Sequence, residues 1–175
     1  MMQNWFYPDN GDPPTYLGDS CPEDAVPIPA GPTLADIQNA FRSIPMQPSV
    51  LQVQPPGGET LVNFRTNFFT VNDPFERTVT LLGARVDFRI RASEFTWHFG
   101  DGSTRTTSKP GAPYPELDVT HTYARKGPVT PRVDTTYTAD YRVDGGPWSP
   151  VGATVTIEGA PVPLTIREAR PVLVG

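Results

Sequence analysis

The residues that could do chemistry in this chain are few, and most of them are carboxylates. Its only two histidines are His98 and His121, which raises the question of a metal pair. Strand parity argues against one. His98 alternates with Trp97 and Phe99 and faces away from them, whereas His121 shares a face with Tyr123. Ligands on opposite faces cannot meet one ion. No cysteine lies near either histidine, and no metal is expected. Asn72, Asp73, Asp101, Asp118, Asp134, Asp140 and Asp144 supply hard oxygens in or near loops. None stands in the spacing of a calcium loop closed by a bidentate acid, so they read as solvated turn carboxylates.

A nucleophile with its base is also missing. There is no Gly-x-Ser-x-Gly, no His-Glu-x-x-His and no phosphate-binding glycine loop. The single cysteine, Cys21, is followed by Pro22 without a helix start or a histidine that would lower its pKa. Alone, it forms no internal disulfide, and it reads as an inert thiol. The expectation is a chain without enzymatic activity and without a cofactor.

The 175 residues suffice for one good-sized domain, and nine Phe, six Tyr and three Trp give it a core. A net charge of −5 with scattered basic residues excludes a phosphate-backbone partner, so no nucleic acid is expected. No apolar run is long enough for a membrane span, and Met1 to Pro8 lacks the charged-then-apolar pattern of a signal peptide.

Of the 22 prolines, 11 lie in the first 58 residues. Residues 1–32 show neither a two-residue nor a 3.6-residue period, which predicts an arm rather than a domain. Residues 33–44 carry the one helical signal. Thr33 can cap, Asp36 stands three residues on, and Leu34, Ile37, Phe41 and Ile44 share a face until Pro45 ends the run. The division expected is an arm with its helix over 1–49 and a sheet domain over 50–175.

Within that domain, strands are predicted at Leu51–Gln54, Leu61–Thr70, Thr78–Leu82, Arg85–Ile90, Glu94–Phe99, Val119–Ala124, Val129–Val143, Ala153–Ile157 and Pro163–Ile166. Many short strands with frequent turns and no crossover helix predict an all-β, antiparallel β-sandwich. A doubly wound fold is excluded.

The segment Trp97-His98-Phe99-Gly100-Asp101-Gly102-Ser103, followed by His121-Thr122-Tyr123, resembles the signature of PKD domains. The resemblance implies an immunoglobulin-like sandwich over residues 50 to 168, with one part of the motif on a central strand and the other opening a later one. In it Trp97, Phe99, Gly100, Asp101, Gly102, His121 and Tyr123 are structural: two rings for the core, glycines for positive φ, a turn carboxylate, and a tyrosine hydroxyl tied back to the main chain. Gly127-Pro128-Val129-Thr130-Pro131 departs from the family's simpler run and favours an edge or bulge. Together with the arm, helix and long hairpin, these additions resemble exported actinobacterial-type proteins that carry a PKD-like domain.

That resemblance implies a secreted or cell-surface module for protein or polysaccharide binding, or for spacing, at the cell envelope. Trp148, beside the Asp144-Gly145-Gly146-Pro147 turn, is the candidate binding residue, because an exposed indole stacks on sugars or anchors an interface. The alternatives are a structural subunit that self-associates through the arm or an edge strand, and an accessory domain of a secreted hydrolase.

Overall fold

The computed structural model describes residues 2–8, 11–20 and 31–169, and the chain forms two compact units, one ending at Gly31 and one beginning at Pro32. Cys21 lies outside the described residues. In the first unit, β1 (Met2–Phe6) pairs antiparallel with β2 (Thr15–Ser20). The expectation of an unpatterned arm is corrected here. A register shift between Asn4 and Trp5 breaks the alternation that would reveal the strands, and the cross-strand rings of Trp5 and Tyr16 lie 5.1 Å apart.

In the second unit, α1 (Leu34–Ser43) begins with a reciprocal cap. Thr33 Oγ1 accepts the Asp36 N–H at 3.3 Å while the Asp36 carboxylate accepts the Thr33 N–H at 3.0 Å. Ile37 and Phe41 on its buried face join Ile44, Met46, Val86, Phe88, Ile90, Tyr137, Ala139 and Val151 in one core cluster. The helix therefore packs with the sheet domain. Proline content changes after residue 58, but packing divides the chain at Gly31, since composition tracks backbone chemistry and not which surfaces meet.

The strands that follow are β3 (Gln52–Gln54), β4 (Glu59–Leu61), β5 (Arg65–Phe69), β6 (Phe75–Leu81), β7 (Ala84–His98), β8 (Thr104–Thr107), β9 (Thr120–Thr122), β10 (Gly127–Val129), β11 (Arg132–Val143), β12 (Ser149–Ile157) and β13 (Leu164–Arg167). The large sheet runs β12-β11-β7-β6, with β8 also on β7; the others run β3-β5-β9 and β10-β13-β4. Only β13 with β4 pairs parallel among these. The result is the expected immunoglobulin-like β-sandwich with one short helix.

Three of the boundaries that differ from expectation have a clear local reason. Asn63, at φ +58°, divides the Leu61–Thr70 run into β4 and β5. Pro131, which has no N–H to donate, separates β10 from β11, and the two pair in different sheets. Arg85–Ile90 and Glu94–Phe99 are one strand, β7, interrupted by a bulge. Opposite β11, Glu94 faces Thr136 and Ala92 faces Tyr137, which leaves Ser93 as the extra residue.

That bulge lets one strand serve two cores. Val86, Phe88 and Ile90 face inward on even numbers; Phe95, Trp97 and Phe99 face inward on odd ones. Ser93 absorbs the change of parity, and its Oγ donates to the Thr136 carbonyl at 3.1 Å. The first three side chains lie under α1. The second three pack between the sheets with Leu51, Phe68, Val119, Tyr123, Val133, Leu164 and Ile166.

Candidate functional site

The Trp97-to-Tyr123 motif is built from the end of β7 outward. Trp97 is 1% exposed, and its indole N–H donates to Thr107 Oγ1 at 2.9 Å. This explains β8, an all-polar strand that periodicity does not reveal: it supplies the one hydrogen-bond partner that lets an indole be buried. Phe99 is buried with its ring stacked on His121 at 4.3 Å. At Gly100 φ is +84°, and a Cβ there would lie 2.7 Å from the Thr130 nitrogen, so no side chain is tolerated.

Asp101 is the hub of the turn. Its Oδ1 accepts the Ser103 N–H at 3.0 Å and the Ser103 hydroxyl at 2.5 Å, and its Oδ2 meets His121 Nε2 at 2.7 Å. Burial opposes its ionisation, but the bonds from Ser103 and His121 outweigh it and hold the carboxyl at about 2. The Tyr123 hydroxyl donates to the Phe99 carbonyl at 2.8 Å, and its pKa is raised by burial and then by the Asp101 charge. The turn after β7 is thus fastened to β9 and the residues after it.

Ser103, His121 and Asp101 are not a catalytic triad. Ser103 Oγ lies 3.4 Å from the same Nε2 that Asp101 holds, and its proton goes to Asp101. A triad needs the serine and the carboxylate on different ring nitrogens. The arrangement locks a turn.

Comparison with known protein families matches this region: residues 67–137 fit the family model of the PKD domain. The chain contains a PKD domain. PKD domains are non-catalytic immunoglobulin-like modules, typically extracellular, that bind or space. The match runs from β5 into β11 and takes in Trp97, Phe99, Gly100, Asp101, Gly102, His121 and Tyr123. A search of curated proteins finds no match to the chain.

On the outer face of the PKD domain's large sheet the charges are engaged with one another. Asp134 Oδ2 meets His98 Nε2 at 2.8 Å, and Oδ1 accepts from Arg132 Nε at 3.0 Å and from the Gly159 N–H at 3.1 Å. Burial opposes its ionisation; Arg132, Gly159 and His98 outweigh it and lower the pKa. His98 and His121 therefore hold separate carboxylates. Among the described residues, no group of three or more His, Cys, Asp or Glu is placed to hold a metal ion.

Asp87 accepts from Thr78, Arg85 and Arg142, which hold it at about 2 against the opposing effect of burial. Arg142 also lies over the Trp148 ring, 4.7 Å from its centroid, and Arg89 lies at 4.2 Å. Trp148 is half-buried, and its indole carries two guanidinium groups.

A groove of about 400 Å³ lies at the edge of the β3-β5-β9 sheet, lined by Gln54, Pro55, Pro56, Phe64, Arg65, Asn67, Tyr114 and Leu117. Tyr114 is 74% exposed and Phe64 46%. Asn67, 1% exposed, donates through Nδ2 to Gln54 Oε1 at 3.0 Å and to the Ala112 carbonyl at 2.9 Å. Gln54 Oε1 also accepts the Tyr114 N–H at 2.9 Å, so β3, β5 and the 112–117 loop are held together beneath the exposed rings. Sequence reasoning missed this groove. Its only signal was the pairing of aromatic with proline at Tyr114-Pro115 and the Pro55-Pro56 step, in segments far apart in the chain.

Proposed function

We propose that this chain is a non-catalytic extracellular or cell-surface module that presents the Phe64–Tyr114 groove to a protein or polysaccharide of the cell envelope. The observation that carries the reading is two exposed aromatic rings flanking an apolar groove, whereas on the large sheet Asp87, Arg91, Asp140 and Arg142 are held in ion pairs. Exposed rings on a fixed hydrogen-bonded base lose little conformational freedom when a ligand covers them, which favours binding. Trp148 is the weaker candidate of the two, because guanidinium groups already occupy its ring.

The test is co-sedimentation of the purified chain with cell envelopes and insoluble polysaccharides, comparing wild type with Phe64→Ala/Tyr114→Ala and with Trp148→Ala. Loss of pelleting in the groove variant alone supports the reading. Loss in Trp148→Ala alone moves the site to the sheet face.

A second reading, self-association through the N-terminal unit, draws on the exposed rings of Trp5, Phe6, Tyr7 and Tyr16 on the β1-β2 hairpin. Sedimentation velocity across a concentration series tests it. A mass that stays monomeric throughout removes it.

A further inference from the structure

We infer that the groove takes an extended, proline-rich peptide of a partner protein, with an acidic residue placed to meet Arg65. This rests on the groove being the binding surface and names the chemistry of what it binds.

The lining fits such a ligand in three respects. Pro55, Pro56, Phe64, Tyr114 and Leu117 form an apolar trough with flat ring faces, the kind of surface on which pyrrolidine rings pack. A polyproline II segment is already extended, so it docks at small entropic cost and leaves its carbonyls without internal partners.

The polar groups of the groove are unbalanced in a way that selects the ligand. Its free side-chain groups are mostly donors: among the described residues, the Gln54 carboxamide N–H₂ makes no hydrogen bond, Arg65 makes no ion pair, and the Tyr114 hydroxyl, which can donate or accept, makes no hydrogen bond. Its carboxamide acceptors are closed. Gln54 Oε1 already accepts from Asn67 and from the Tyr114 N–H, and Asn67 Oδ1, which has no partner, is shut off from solvent. A ligand is favoured here when it accepts and does not donate. Oligoproline does so, because each proline offers a carbonyl and no N–H. A polysaccharide brings many hydroxyl donors, for which the free side chains of the lining offer only the Tyr114 oxygen. Arg65, an unpaired cation at the groove, adds the preference for an acidic residue.

The experiment is fluorescence polarisation of the full chain with a labelled oligoproline peptide ending in aspartates, with a glycine-serine peptide of the same charge as control. Saturable binding of the oligoproline alone is expected. Phe64→Ala or Tyr114→Ala weakens it about tenfold or more, Arg65→Gln weakens it by less and flattens its salt dependence, and Trp148→Ala leaves it unchanged. Both aromatic positions are exposed, so unchanged melting curves separate lost binding from lost fold. Equal binding of both peptides, or of neither, overturns the inference. Oligoproline binding that survives Phe64→Ala and Tyr114→Ala overturns it too, by placing the peptide elsewhere. Binding of a cello- or chito-oligosaccharide in place of the peptide, abolished by Tyr114→Ala, also overturns it while leaving the groove standing as the binding surface.

Discussion

Replacing Phe41 by alanine tests whether α1 closes half of the sandwich or merely lies beside it. The ring is 0% exposed and stacks on Phe88 with centroids 6.2 Å apart, in a cluster that includes Ile37, Val86, Ile90 and Tyr137. Removing a fully buried phenyl costs its transfer free energy and leaves a cavity, together about 3–5 kcal/mol. The cavity would be floored by β7, whose backbone is fixed by β6 and β11 on either side, so little collapse is available to relieve it.

For a domain of this size that loss lowers the melting temperature by about 10 °C. Leu34→Ala, on the same helix but exposed, is the control and costs under about 0.5 kcal/mol. Calorimetry gives the midpoints, and amide exchange locates the effect: protection falls first in the Val86–Ile90 part of β7, while Phe95 and Trp97 keep theirs. A Phe41→Ala chain within about 1 kcal/mol of wild type would refute the reasoning, since a ring that covers the core cannot be removed that cheaply.

Other consequences follow from the same geometry. Deleting Ser93 removes the one extra residue of β7, so Val86, Phe88, Ile90, Phe95, Trp97 and Phe99 fall inward on a single unbroken alternation against the same β11 partners and the cooperative thermal transition should survive; a variant that no longer melts cooperatively would show that the bulge does more than absorb the change of parity. Gly100→Ala meets both a positive φ and the Thr130 backbone and should cost more than about 3 kcal/mol, against about 1 kcal/mol for Gly102→Ala, where φ is +95° but space is open; equal losses in urea titrations would contradict this. Asp101, held at about 2 when folded against 3.8, is a depressed carboxylate, so its contribution is present above pH 4 and is lost as the pH falls toward 2. Discounted for its partial exposure the contribution is about 1 kcal/mol, and in Asp101→Asn this part of the acid-limb slope should disappear.

The sandwich was legible because its signals are local. Alternation at Val86, Phe88 and Ile90 marks a half-buried strand wherever its partner lies, and the Trp97-to-Tyr123 motif carries its own turn chemistry in adjacent residues. The cap of α1 was readable for the same reason, since Thr33 and Asp36 satisfy each other within one turn. What sequence could not show depends on partners. Ser93 becomes a bulge only opposite Thr136 and Tyr137, β8 becomes a strand only because Trp97 needs Thr107, and Trp148 is half-buried because Arg89 and Arg142 converge on it from two other strands. The groove is the extreme case, since Gln54, Phe64 and Tyr114 come from three segments with no common period and meet through the Gln54 and Asn67 carboxamides.

The measurement that bears most directly on the binding role is a side-chain amide and aromatic NMR spectrum of the full chain, recorded before and after adding a solubilised cell-envelope fraction. The account predicts that the Gln54 and Asn67 carboxamide signals and the Phe64 and Tyr114 ring signals shift together, while the Trp148 indole signal stays in place. Movement of the Trp148 signal with the groove signals unchanged would contradict it and put the binding surface on the arginine-rich face of the large sheet.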